Sequence, residues 1–155
     1  MEPSLSKTRN IMYNLKFFII MDPIFYKCPV CGNVMTLLVS SGITPICCGR
    51  PMKELEANTV DASVEAHVPL VKCEKKCDVA HPCYEVSVTV GSTLHPSTIE
   101  HHISFIVLAT ESGGDIKILT PKMEPKATFC CLSKPLAVYA YCNLHQLWKA
   151  PVSCL

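Results

Sequence analysis

Four cysteines near the start of the chain fall into two close pairs. Cys28 and Cys31 are separated by two residues, and Cys47 is followed directly by Cys48. A CxxC pair places two thiolates on one turn, and a second pair from elsewhere in the chain can complete a tetrahedral metal site. Zinc ribbons usually keep a two-residue spacer in both pairs. The spacing therefore predicts a four-thiolate site that could accept zinc or iron, with an adjacent pair that is unusual for a zinc ribbon.

A second group of potential ligands lies further along, in the strings EAHVP, GSTLHPSTIEHHISFI and AYCNLHQLWK. The candidates are His67, His95, His101, Cys142 and His145. Cys142 and His145 form a C-x-x-H turn, and the other histidines stand at the ends of predicted strands. Neutral nitrogen ligands combined with one thiolate would hold an electron-rich iron and leave a coordination position open.

Short β-strands must position the second group. Tyr84, Val86, Val88 and Val90 alternate with polar residues, which is the period of a half-buried strand. The further predicted strands are Ile103 to Ala109, Asp115 to Leu119, Ala127 to Leu132 and Leu136 to Cys142, with a hairpin turn at Gly113 and Gly114. Frequent prolines make long helices improbable. We expect an all-β chain that ends in a β-sandwich of the immunoglobulin or fibronectin-III type.

The first four cysteines belong to a smaller unit. A segment of this size with few apolar residues cannot close an adequate core, so a structural metal is the expected staple. The sequence predicts three parts: an N-terminal extension at 1–20, a four-cysteine module at 21–57 and a sandwich at 58–155. Met21 could equally be the physiological start of the chain.

Charge and hydrophobicity exclude several classes of function. The 155 residues carry a net charge of +1 and only 17% charged residues, so neither nucleic acid nor an anionic membrane is an expected partner. The apolar run from Phe17 to Met21 is too short to span a membrane. Eleven cysteines with metal-type spacing predict a reducing, cytoplasmic location. Cys73, Cys77 and Cys83 could form a third metal site, but their spacing fits no common ligand set and favours free thiols in a variable loop. We expect Cys130, Cys131 and Cys154 to be free thiols as well.

The string FYKCPVCGN, followed by CCGRPM, resembles desulforedoxin, a module that holds one iron between a CxxC and a CC pair. The resemblance covers about 24–55 and retains all four ligand positions. It implies iron bound by Cys28, Cys31, Cys47 and Cys48, which could relay electrons. Because such modules tend to pair, it also implies a homodimer.

The remaining strings resemble the catalytic domain of superoxide reductases, over about 58–150. In that family four imidazoles surround a ferrous iron in one plane and a cysteine thiolate is axial. The matching positions are His67, His95, His101, Cys142 and His145. The resemblance implies reduction of superoxide to hydrogen peroxide, with a donor such as rubredoxin returning the electron. By the same resemblance, Glu65 can cap the sixth position of the oxidised iron, although a solvated loop carboxylate is an equally good interpretation.

The chain departs from this family at a few positions. Ala66 stands where the family usually has a lysine before the first histidine, and Gln146 replaces a glycine that is frequent after the last. Losing the lysine predicts a slower encounter with an anionic substrate. Two other functions stay open from sequence. One is a zinc-stapled adaptor protein, and the other is an iron-containing electron carrier without superoxide activity.

Overall fold

The computed structural model describes residues 22–76 and 83–154. The predicted extension at 1–20 and Cys77 lie outside the described residues. Within them the chain is β-structure apart from one helical turn, α1 (Val64–His67). No helix among the described residues is long and apolar enough to cross a membrane.

Five short strands build the N-terminal module. They are β1 (Phe25–Lys27), β2 (Val34–Thr36), β3 (Ile46–Cys47), β4 (Arg50–Pro51) and β5 (Lys53–Leu55). Strands β2, β1 and β5 form one antiparallel sheet in that order, and β3 pairs with β4. Among the described residues, the module's own buried cluster consists of Tyr26, Cys28 and Met52. This small core agrees with the expectation that a metal must stabilise the unit.

Seven longer strands build a two-layer sandwich. They are β6 (Pro69–Lys75), β7 (Tyr84–Val90), β8 (Ile103–Thr110), β9 (Gly113–Ile118), β10 (Lys126–Cys131), β11 (Pro135–Cys142) and β12 (Gln146–Pro151). One sheet has the order β10-β7-β6 and the other has the order β12-β11-β8-β9. Inward-facing residues such as Val86, Ile106 and Val138 are fully buried between the sheets. The predicted all-β fold with a small module and a sandwich is confirmed.

Two local predictions need correction. The hairpin between β8 and β9 turns at Glu111 and Ser112, while Gly113 and Gly114 already pair with Thr110 and Ala109 in the ladder. Glycine is needed at position 114 because a Cβ there would approach the Leu108 carbonyl oxygen to 2.6 Å, whereas Gly113 has open space around it and φ +148°. The glycine pair therefore marks the start of β9 and not the turn itself.

The prediction of free thiols is wrong for three cysteines. Cys73 on β6 and Cys154 near the C-terminus form a disulfide bond, and Cys83 is also disulfide-bonded. The partners Cys73 and Cys154 lie 81 residues apart in sequence, so only the tertiary fold reveals the pairing. Cys130 and Cys131 are free, as predicted.

The module packs directly against the outer face of the four-stranded sheet. Phe25 of β1 lies 5.7 Å from the Phe105 ring and 5.4 Å from the Tyr139 ring, measured between centroids. Asp22 adds polar contacts, because it accepts hydrogen bonds from the Tyr139 hydroxyl and from Lys149 Nζ. Leu55 joins the same buried cluster. The module and the sandwich thus share one hydrophobic interface.

Candidate metal centres

The four cysteines of the module converge on one point. The Sγ atoms of Cys28, Cys31, Cys47 and Cys48 lie within 4.8 Å of one another. The Cys31 and Cys47 sulfurs are 3.6 Å apart, and those of Cys47 and Cys48 are 3.9 Å apart. These donors can surround one ion.

Left-handed backbone explains how two adjacent cysteines reach one site. Neighbouring side chains on an extended strand point in opposite directions. Here Cys48 has φ +50° and Gly49 follows with φ +70°, so the chain turns back sharply after Cys47. This turn brings the Cys47 and Cys48 sulfurs to the same side. Two adjacent cysteines can bind one metal only with such a distorted backbone.

Backbone N–H groups polarise the first thiol of the module. The N–H groups of Val30 and Cys31 each donate to Cys28 Sγ at 3.4 Å, and mainly the Cys31 N–H lowers the pKa of Cys28 to about 6. Contact with the Cys28 and Cys31 sulfurs raises the pKa of Cys47 to about 12. Thiolates this close together repel one another. A bound cation would offset that repulsion and allow all four thiols to ionise.

The second group of donors forms a ring at one end of the sandwich. Going round the ring, the centroid separations are 4.7 Å from His67 to His95, 4.5 Å from His95 to His101, 4.9 Å from His101 to His145 and 4.6 Å from His145 to His67. Each imidazole is nearly perpendicular to its neighbours, with interplanar angles of 75° to 82°. Across the ring, His67 and His101 are 6.0 Å apart. This is a four-fold arrangement around a shared centre.

Backbone carbonyls select the nitrogen that each ring presents. His67 Nδ1 lies 2.7 Å from the Ser63 carbonyl oxygen, and His95 Nδ1 lies 2.7 Å from that of Pro96. Because a carbonyl oxygen can only accept, both Nδ1 atoms carry the proton and both Nε2 atoms keep a lone pair. Such contacts fix the tautomer and orientation of metal-binding histidines.

The hydrogen bonding of the nitrogens that face the centre of the ring indicates whether a metal ion fits there. Nε2 of His95 and Nε2 of His101 are buried without a hydrogen-bond partner among the described residues. His67 Nε2 is 2.9 Å from His145 Nδ1, so two further nitrogens face the same centre. Orphaned buried polar atoms are costly unless something binds them. The donor set therefore fits a metal ion held by four nitrogens.

Burial favours the neutral form of three of these imidazoles, which is the form that binds a metal. It lowers the pKa of His95 to about 4 and also lowers the pKa of His67 and of His101. Near neutral pH these three rings consequently offer lone pairs and not protons.

The thiol of Cys142 supplies the fifth donor. Cys142 ends β11, is fully buried, and its Sγ lies 3.6 Å from His145 Nδ1. The sulfur and one nitrogen each from His67, His101 and His145 lie within 4.8 Å of one another. Burial raises the pKa of the thiol, while the N–H groups of His145 and Leu144 lower it. The His145 N–H donates to this sulfur at 3.3 Å.

Three further residues surround the ring. Trp148 is buried, stacks on His67 with centroids 4.9 Å apart, and donates from Nε1 to the His145 carbonyl oxygen. Glu65 is exposed, and its backbone carbonyl accepts from Ser92 N–H and Ser92 Oγ. Its carboxylate role stays a prediction. Gln146 has φ +59°, which explains why glycine suits that position.

Sequence reasoning missed Gly91, which holds the His67 turn in place. Gly91 N–H donates to the Val68 carbonyl oxygen, and the N–H groups of Ser92 and Thr93 donate to that of Glu65. A Cβ on Gly91 would meet the Ala66 carbonyl oxygen at 2.6 Å. Because His95 follows in the same loop, this close approach links two of the four rings. A glycine after an alternating strand was the available signal.

Comparison with known proteins agrees with this geometry. The desulfoferrodoxin family model matches residues 59–151, and the desulfoferrodoxin N-terminal domain matches residues 24–55. A desulfoferrodoxin of Syntrophotalea carbinolica is 40% identical over 125 residues, covering 81% of this chain and 93% of the relative. A superoxide reductase of Pyrococcus horikoshii is 38% identical over 103 residues, covering 57% of this chain and 86% of the relative.

A solved structure gives the same answer for the fold. The crystal structure of the superoxide reductase from Treponema pallidum superposes with a TM-score of 0.64 at 30% sequence identity. The match covers 83% of this chain and 98% of that one.

Proposed function

Because this chain belongs to the desulfoferrodoxin family, we propose that it is a superoxide reductase with two iron sites. The catalytic iron takes nitrogens from His67, His95, His101 and His145 and sulfur from Cys142. The second iron takes the four sulfurs of Cys28, Cys31, Cys47 and Cys48. The observation that carries the proposal is the ring of four imidazoles beside a buried thiol, with the inward nitrogens of His95 and His101 unpartnered. We assign the second iron to a module at 21–57 and the catalytic iron to the sandwich at 58–155.

The protein's own groups prepare the site for a small anion. When bound, ferrous iron supplies the one electron that superoxide needs, and two protons complete hydrogen peroxide. The Ser63 and Pro96 carbonyls hold the rings of His67 and His95 so that nitrogen lone pairs point inward. The backbone N–H groups of Leu144 and His145 tune the basicity of Cys142 Sγ. Glu65, two residues before His67, is the proposed cap of the remaining position in the oxidised state.

Superoxide consumption by the purified protein tests this function. We expect two irons per chain and reduction of superoxide to hydrogen peroxide without release of oxygen. Oxygen release would indicate a dismutase, and bound iron with no superoxide consumption would indicate an electron carrier. A colourless protein containing zinc would support the adaptor interpretation instead.

The missing lysine predicts a gain of function. Ala66→Lys would restore a positive charge beside His67, and electrostatic steering should raise the rate constant for superoxide at low ionic strength by up to about tenfold. The gain should shrink as salt is added. Stopped-flow mixing with superoxide measures both effects.

The control adds the same charge elsewhere. Leu132→Lys changes an exposed side chain on the turn between β10 and β11. It should leave the rate constant nearly unchanged. An Ala66→Lys rate equal to that of the unmodified protein at low salt would refute the steering argument.

The electron donor, assembly and location belong to the same proposal. An external carrier such as rubredoxin returns the electron, directly or through the four-cysteine iron, and two chains form a homodimer. We place the protein in the cytoplasm, because metal-binding thiolates are best preserved in a reducing compartment. The Cys73–Cys154 bond is an exception to that chemistry, and mass spectrometry of the protein from freshly lysed cells would measure its oxidation state.

A further inference from the structure

Asn143 directly follows Cys142 and precedes His145 by two residues, and its side chain hydrogen-bonds to the two residues that flank His101. Its Oδ1 accepts a hydrogen bond from His102 N–H at 2.9 Å, and its Nδ2 donates to the Glu100 carbonyl oxygen at 2.8 Å. Its backbone N–H donates to the His102 carbonyl oxygen at 3.2 Å. Asn143 thus binds the residue before His101 and the residue after it.

These bonds continue the sheet where regular pairing fails. Strands β11 and β8 pair Tyr141 with Phe105, but the register then shifts and Cys142 pairs with Ile103. Such a bulge interrupts the ladder and re-aims the side chains next to it. Beyond the bulge, the bonds of Asn143 link the segment at 100–102 to the strand that ends in Cys142.

We propose that Asn143 is a positioning residue that fixes the His101 ring relative to Cys142 Sγ. Asn143 has this role only in so far as His101 and Cys142 bind one iron, as the proposed function states. Asn143 Oδ1 also lies 4.0 Å from Cys142 Sγ, so the amide that holds the segment at 100–102 lies beside the sulfur as well. Partners outside the ligand shell typically contribute 10–100-fold to metal affinity or activity.

Asn58 provides a matched control. Its Oδ1 accepts from Lys149 N–H at 2.8 Å, its Nδ2 donates to the Lys149 carbonyl oxygen at 3.1 Å, and its backbone N–H donates to the Leu147 carbonyl oxygen. The three bonds are of the same kinds as those of Asn143, but they link the segment after β5 to β12. Asn58 also has φ +62°, so replacement by alanine should destabilise the fold at least as much.

The test measures iron retention and colour, and it requires no turnover. In Asn143→Ala we expect the iron of the histidine site to dissociate at least about tenfold more readily under a chelator. We also expect its visible ferric-thiolate band to shift, while the four-cysteine iron is retained. Asn58→Ala should keep both irons and the original band. An unshifted band with normal retention in Asn143→Ala, or the same shift in Asn58→Ala, would overturn the proposal.

A second pair of variants decides the question if Asn143→Ala does not fold. Asn143→Asp and Asn58→Asp each keep the Oδ1 acceptor and lose the Nδ2 donor. The proposal requires that only Asn143→Asp weakens iron retention at the histidine site, and equal retention in both variants would reject it. Failure of the proposed function would appear differently, as unmodified protein that holds both irons but does not consume superoxide.

Discussion

Replacing Cys142 by serine is expected to abolish most superoxide reduction while leaving the four-cysteine iron in place. Cys142 is the sulfur donor beside the imidazole ring, and a neutral hydroxyl cannot donate electron density as a thiolate does. Losing a direct ligand should cost more than losing an outer partner, so we expect a fall of more than about 100-fold in the rate constant. Stopped-flow kinetics and the disappearance of the ferric-thiolate band measure the change.

Cys131→Ser is the control for this substitution. Cys131 is a free, partly buried thiol on β10, in the opposite sheet from Cys142. Its replacement should leave both the rate constant and the visible band unchanged. A Cys142→Ser protein that retained the band would show that another group supplies the sulfur.

Replacing Gly91 by alanine should damage the histidine site from a distance. The added Cβ would lie 2.3 Å from the Thr93 carbonyl oxygen and 2.6 Å from that of Ala66, and the backbone has φ +84°. Relief requires the turn that carries His67 to move away from the loop that carries His95. We expect a loss of about 3 kcal/mol in the free energy of unfolding. We also expect poor retention of iron at the histidine site, measured by denaturant titration and metal analysis.

Substitutions at two other glycines separate the cost of the left-handed backbone from the cost of the steric clash. Gly42 has φ +80° with open space around it, so Gly42→Ala isolates the cost of the left-handed backbone. Gly114→Ala creates a backbone clash of 2.6 Å on β9. Both variants should keep the histidine-site iron. Normal iron content in Gly91→Ala would show that the turn tolerates displacement.

Residue patterns predicted the fold where one physical signal dominated. Strand β7 carries alternating apolar residues and was predicted at its observed bounds, Tyr84–Val90. Strands β6 and β12 were not predicted, because PLVKCEK and QLWKAP mix charged residues and proline with apolar ones. Their burial is decided by neighbouring strands and not by local periodicity.

The candidate metal sites also differed in how far the sequence alone predicted them. Spacing alone indicated a four-thiolate site, whereas convergence of four histidines from separate segments could be expected only through resemblance to a family. Asn143 and Gly91 act through backbone contacts across the fold. Such contacts leave little trace in residue type, and neither residue was singled out. The Cys73–Cys154 pairing was hidden for the same reason.

The aromatic interface between module and sandwich has a consequence for electron exchange. Phe25 inserts against Phe105 and Tyr139, and Asp22 is held by Lys149 at the edge of the same contact. The four-cysteine centre therefore cannot move toward the histidine centre as it could if a flexible linker joined the module to the sandwich. Within one chain, any electron passing between them must tunnel across a constant gap, whose width is set by packed side chains rather than by diffusion.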